Sequence, residues 1–163
     1  MMKLKFVFVL SVMTTCFWAC ESDESGSNPK QLLDAAQGEE DKMKVLDNLS
    51  LQLQGIWRSD DDKKSELRIQ GDKFTSVYDG KEVSKERLMW YIQCPTICSQ
   101  GQDSTKLLCF TLENELRSLC FNLVNLSKEK LSYSQLPGTG NTLSYTKIMD
   151  IPKQGTPEDV KLK

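Results

Sequence analysis

The feature that most constrains this chain is a change of rhythm after Leu51. Upstream, apolar residues recur at the three-and-four spacing of a helix: Leu32, Leu33, Ala36, Met43, Leu46 and Leu49, with an interruption at Gly38. Asn28-Pro29 supplies a capping side chain and a first-turn proline, so one or two short helices are expected over 29–50. Downstream, apolar residues recur at every second position, as in strands whose side chains alternate between faces. Glu66-Leu67-Arg68-Ile69-Gln70 alternates and runs into Gly71-Asp72. Phe74, Ser76 and Tyr78 share one side of the next segment, which ends at Asp79-Gly80, a strong hairpin signal. Leu88, Trp90 and Ile92 share a face over 88–93. Segments 53–58, 106–112, 116–126, 130–135 and 142–148 complete a series of about eight strands.

Eight strands joined mostly by short turns predict an all-β fold, a small antiparallel meander. A meander must manage its open edges, and closing into a barrel abolishes them. An eight-stranded barrel is just wide enough to be filled by side chains or to hold one small ligand. The competing architecture, a sandwich, needs longer crossovers. The expected organisation is a leader over 1–19, an acidic Ser/Gly tether over 20–28, helices over 29–50, the barrel over 51–149 and a tail over 150–163.

Lys3 and Lys5 precede an uncharged stretch from Phe6 to Ala19, the plan of a secretory signal peptide and too short for a spanning helix. Phe17-Trp18-Ala19-Cys20 resembles the lipobox of bacterial lipoproteins, which implies lipidation of Cys20 as the new N-terminus. Glu21, Asp23 and Glu24 follow and resemble the surface-export signal of Bacteroidetes lipoproteins, which implies the outer membrane, on its periplasmic or outward face. One acyl chain anchors only marginally and two or more hold stably, so Cys20 alone would supply a palmitate-type membrane anchor. Excision of 1–19 leaves 19 basic and 23 acidic residues, a net 19 − 23 = −4, which disfavours a nucleic-acid partner.

Leu53-Gln54-Gly55-Ile56-Trp57 resembles the Gly-x-Trp opening of lipocalins and lipocalin-like (calycin-type) domains. Leu143-Ser144-Tyr145-Thr146-Lys147-Ile148 and the stretch Cys120-Phe121-Asn122-Leu123-Val124-Asn125-Leu126-Ser127, followed by Leu131, resemble lipocalin-like lipoproteins of Bacteroidetes. The family pairs its tryptophan with an arginine on the final strand, and Lys147 holds that position here.

An exported chain meets an oxidising compartment, so Cys94, Cys98, Cys109 and Cys120 are expected as disulfides. Four cysteines allow three pairings. A two-residue turn at Asn114-Glu115 sets Cys109 opposite Cys120, Phe110 opposite Leu119 and Leu108 opposite Phe121, favouring Cys109–Cys120 with Cys94–Cys98 across Pro95. A slip in the turn, or pairing of Cys94 with Cys109, is the alternative. The spacing lacks the Cys-x-x-Cys knuckles of a zinc site, and no metal or other cofactor is expected.

The chain contains no histidine, which removes Ser-His-Asp and Cys-His machinery; the expectation is a non-enzyme. Asp60-Asp61-Asp62 lacks the ligand spacing of a calcium loop and reads as a solvated turn. Two functions remain. One is a membrane-anchored barrel that binds a small hydrophobic ligand against Trp57, Phe74, Tyr78, Trp90, Phe110, Phe121, Tyr133 and Tyr145. The other is a filled barrel serving as an interaction subunit of an envelope or surface complex, with Met89 and Tyr91 as contact candidates. An inhibitor presenting the Pro95 loop is a weaker third.

Overall fold

A computed structural model of the chain describes residues 28–138 and 140–151. The leader, Cys20, the tether up to residue 27 and the tail from residue 152 lie outside the described residues. Two helices come first. In α1 (Pro29–Ala35) the Asn28 side chain caps the start by accepting the Lys30 N–H at 3.0 Å. Helix α2 (Gly38–Leu53) opens at Gly38, so the expected interruption of the stripe there divides it into two helices. The helical segment reaches three residues past the expected limit of residue 50. Leu46, Leu49 and Leu53 lie on one stripe and are all buried, so burial carries the helix through the residues expected to open the first strand.

Eight strands follow: β1 (Gly55–Ser59), β2 (Ser65–Gln70), β3 (Lys73–Tyr78), β4 (Lys81–Trp90), β5 (Cys109–Glu113), β6 (Ser118–Leu126), β7 (Lys130–Leu136) and β8 (Thr142–Met149). Each pairs antiparallel with its neighbour, and β8 returns to β1, closing an eight-stranded barrel in meander order. Asp79 and Gly80, at φ 49° and 78°, form the tight turn between Tyr78 and Lys81.

Strand β4 starts directly after that turn and ends at Trp90, earlier than the expected 88–93. Its first half carries Ser84 and Glu86 on the inward face, so the apolar alternation that marks a strand is missing from the sequence there. Residues 91–108 then leave the sheet and pass through a short helix, α3 (Thr96–Ser99), and a 3₁₀ turn (Ser104–Lys106) before β5.

The β5–β6 register corrects the expected disulfides. The Asn114 side chain accepts the N–H groups of Leu116 and Arg117 at 2.9 and 3.1 Å, which centres the turn on Glu115-Leu116, one residue later than expected. Phe110 therefore faces Phe121, Thr111 faces Cys120, and Cys109 faces Asn122. Cys109 and Cys120 are diagonal on the outer face and bond elsewhere: the bridges are Cys94–Cys109 and Cys98–Cys120. They pin the excursion to the outside of the wall, over a small second core that includes Leu107 and Leu136.

Candidate functional site

The two ends of the barrel are built from different residues. At one end, Leu33, Leu46, Leu49 and Leu53 of the helices join the core that fills the barrel, which runs continuously from Trp57, Ile69, Phe74 and Leu88 to Phe110, Phe121, Tyr133 and Tyr145. Trp57 is fully buried and donates Nε1–H to the Leu53 carbonyl at 2.8 Å, tying β1 to the end of α2. Lys147 faces Trp57 across β1–β8; its Nζ sits 4.7 Å from the ring centroid and donates to the Gln52 carbonyl at 3.1 Å. An ammonium over an indole that also caps a helix C-terminus does the sealing work of a basic residue on the closing strand. Gly55 lies at φ +140°, and a Cβ there would meet the Met149 carbonyl oxygen at 2.8 Å, so only glycine fits where β1 crosses β8. Gly-x-Trp is thus a device for closing one end.

At the other end the inward residues of β1–β4 are small and polar. The register places Ser59, Ser65, Ser76 and Ser84 inward, with Ser76 directly opposite Ser84. Large rings face them from β4–β8. Phe110 stacks on Phe121 with centroids 5.3 Å apart, Phe121 meets Tyr133 edge-on at 5.4 Å, and Tyr133 stacks on Tyr145 at 5.7 Å. The row ends toward the helices at Trp90, the last residue of β4, which lies 5.4 Å from Phe110 and packs on the core with its Nε1–H buried without an acceptor.

Glu86 is the inward charge of this half. Its side chain is only 4% exposed, accepts Ser84 Oγ–H at 2.9 Å, and meets the half-exposed Arg117 guanidinium at 3.4 Å. A carboxylate buried with one hydroxyl and one distant cation is under-satisfied, since burial of a charge is costly unless it is fully paired. The Tyr133 hydroxyl donates to Tyr145 at 3.4 Å. Burial pushes that phenol well above its ordinary value, helped by Tyr145 and by the Glu86 charge, so Tyr133 keeps its proton at any physiological pH.

Of the eight residues proposed as a lining, Phe110, Phe121, Tyr133 and Tyr145 form the aromatic row, with the half-buried Trp90 at its end. Trp57 and Phe74 belong to the sealed end. Tyr78 is 47% exposed at the rim and takes no part in the row. Met89 stands on the outer face, 37% exposed. Ser84, Glu86 and Arg117 were not anticipated; counting back by twos from Trp90 and Leu88 reaches Glu86 and Ser84, but nothing in the sequence marks Arg117, which comes from the β5–β6 turn.

Among the described residues, no group of His, Cys, Asp and Glu side chains is arranged to hold a metal ion, and no helix is long and apolar enough to cross a membrane. Comparison of the chain with protein-family models, curated proteins and solved structures finds no match.

Proposed function

We propose that this protein is a lipoprotein held at the outer membrane through acyl chains on Cys20, and that its lipocalin-like barrel binds one small ligand at the end away from the helices. The observation that carries this reading is the unequal wall of that end: serines on β1–β4 opposite stacked rings on β5–β8, with the under-paired Glu86 among them. A binding site of this kind combines apolar and aromatic surface with a few placed polar groups. Its ligand is partly flat and apolar, with a hydrogen-bond donor or cationic head for Glu86. The chain does this without catalysis, cofactor or metal.

Native mass spectrometry of the full chain in detergent tests the ligand. The expected result is a retained small molecule that is lost from Ser76→Phe, which fills the serine side. Protein mass alone, with no uptake from an extract of the source membrane, overturns the reading. Labelled palmitate incorporated into the chain but not into Cys20→Ser tests the anchor separately.

One observation favours a second reading, an interaction subunit of an envelope complex. Two disulfides hold the residue 91–108 excursion outside the barrel, and it presents Ile97 at 73% exposure. Co-purification of a protein partner that Ile97→Asp abolishes, with no small molecule bound, would favour it.

A further inference from the structure

We infer that the outer face of β2–β4 is a binding site for a phosphate-class oxyanion, separate from the barrel interior and independent of the function proposed for it. A cleft of ≈ 650 Å³ lies on this face. The register places its side chains in two rows across the three strands: Arg68, Thr75 and Lys85 in one, Gln70, Lys73 and Arg87 in the next. Four of those six are cations. Lys73 stands directly opposite Arg87, and like charges in directly opposed positions destabilise a sheet. Such a pair is relieved by an anion between them.

The cations are also unequally used by the protein. Lys85 is held by Glu82 at 2.6 Å, and Arg87 reaches Glu113 at 3.5 Å. Arg68 has only a 3.9 Å contact with Glu66, a carboxylate already bound by Arg58 at 2.9 Å, and its Nε–H is buried with no acceptor. A buried donor without an acceptor calls for an explanation. Lys73 has no ion pair among the described residues, although Asp72 lines the cleft beside it. Glu86 borders the cleft too, but its carboxyl is turned inward to Ser84 and Arg117. The free donors are therefore Arg68 and Lys73, with Thr75 and Gln70 between and beside them. That set is a guanidinium fork, an ammonium, a hydroxyl and an amide, which suits the three oxygens of a phosphomonoester. Ile151 forms an apolar side of the cleft, against which the organic part of such a ligand would rest.

Isothermal titration calorimetry of the full chain in detergent tests this, with inorganic phosphate and with dihexanoyl phosphatidate below its micelle concentration as probes. The expected result is saturable binding that weakens as NaCl is raised. Arg68→Gln and Lys73→Gln should each weaken it at least tenfold, Lys85→Gln less than threefold because Lys85 is already paired, and Lys64→Gln, outside the cleft, not at all. Binding of both probes identifies a free phosphate group as sufficient. Binding of phosphatidate alone, with the same loss in the variants, identifies a lipid headgroup as the source. Absence of saturable binding by either probe, or binding unchanged in the Arg68→Gln/Lys73→Gln variant, overturns the inference. Near-UV circular dichroism checks that each variant is folded, and the exposed position of Lys73 keeps one variant informative if Arg68→Gln perturbs the sheet.

Discussion

The two ends of this barrel share eight strands and one closed hydrogen-bonding pattern, yet they are built for opposite purposes. The helical end contains leucines, Trp57 and Phe74, and two strong donors there tie the wall to α2: Trp57 to Leu53 and Lys147 to Gln52. The far end contains serines, a buried carboxyl at 4% exposure and a hydroxyl pair at the long distance of 3.4 Å. One end is what holds the molecule together. The other keeps an under-paired carboxyl in its wall, which costs stability. Uniform closure would have needed apolar residues at Ser76, Ser84 and Glu86, and their absence is what makes the interior polar on one side.

The sharpest way to break this contrast is Trp57→Ala. The side chain is fully buried at the junction of α2, β1 and β8, so its removal should cost about 3–5 kcal/mol, read as a lowered urea midpoint. A loss under about 1 kcal/mol would mean that the helices do not depend on the barrel for their packing.

The disulfides come next; they lie side by side on the outside of the wall, since Cys109 and Cys120 are diagonal neighbours on β5 and β6. They close separations of 15 and 22 residues. Restriction of the unfolded chain grows only as the logarithm of that length, so replacing either pair by alanine should cost about 3 kcal/mol, nearly the same for both. Thermal melts of the two double variants measure it. A clear inequality would show that the native wall, rather than the unfolded chain, decides what each staple contributes.

How much of this was legible in the sequence follows the same division. The strand count, the meander order and the Asp79-Gly80 turn could be read because period-two alternation and turn chemistry are local signals. The sealed end was legible through Gly55-Ile56-Trp57 and Lys147, whose roles depend on close approach of two strands. The mouth was not. Its residues are polar, so they look like loop, and Lys81 to Arg87 forms most of the ten-residue β4 without an apolar alternation to mark it. The favoured disulfide pairing fails by a single residue in a turn, and the alternative, Cys94 with Cys109, is the one formed: the Asn114 side chain chooses between two adjacent turn positions, and a strand register amplifies that choice into a different pair of partners. The outer cleft was invisible because its six positions come together only through the pairing of three strands.

Glu86→Gln probes the far end directly. The amide keeps an acceptor for Ser84 and loses only the weak pairing to Arg117, so stability should stay within about 1 kcal/mol of the parent or rise, in line with neutral replacement of buried charges. Ligand retention in native mass spectra should fall. The contrast with Trp57→Ala is the point: one variant loses stability, the other loses occupancy. If Glu86→Gln unfolds the protein instead, the carboxyl is part of the core and the two ends do not differ in purpose.

The smallest expected effect concerns the seam between β1 and β8, which is stitched differently along its length. On the helical side it rests on Lys147, which sits over the Trp57 ring, donates to the Gln52 carbonyl and pairs with the exposed Asp150 at 3.1 Å. Past the end of β1, Asp60 accepts from Thr146 and from Lys130 Nζ at 3.0 Å, and its backbone N–H donates to the Ser144 carbonyl at 2.9 Å. Those side-chain hydrogen bonds, first from Thr146 and then from Lys130, hold the Asp60 carboxyl below the ordinary aspartate value. A group whose value is lowered by folding stabilises the fold fully above its unfolded value, and that contribution fades as pH falls through the folded one. Acidification from pH 5 toward pH 2 should therefore loosen the Asp60–Ser144 pairing before the Trp57–Lys147 pairing, visible as earlier loss of amide-exchange protection at Asp60. Asp60→Asn keeps an acceptor for Thr146 but carries no charge, so it should remove the pH dependence of that local opening while leaving the helical side unchanged. Simultaneous loss of protection along the whole seam, in parent and variant alike, would show that the barrel opens as one unit and that its ends are not energetically separable.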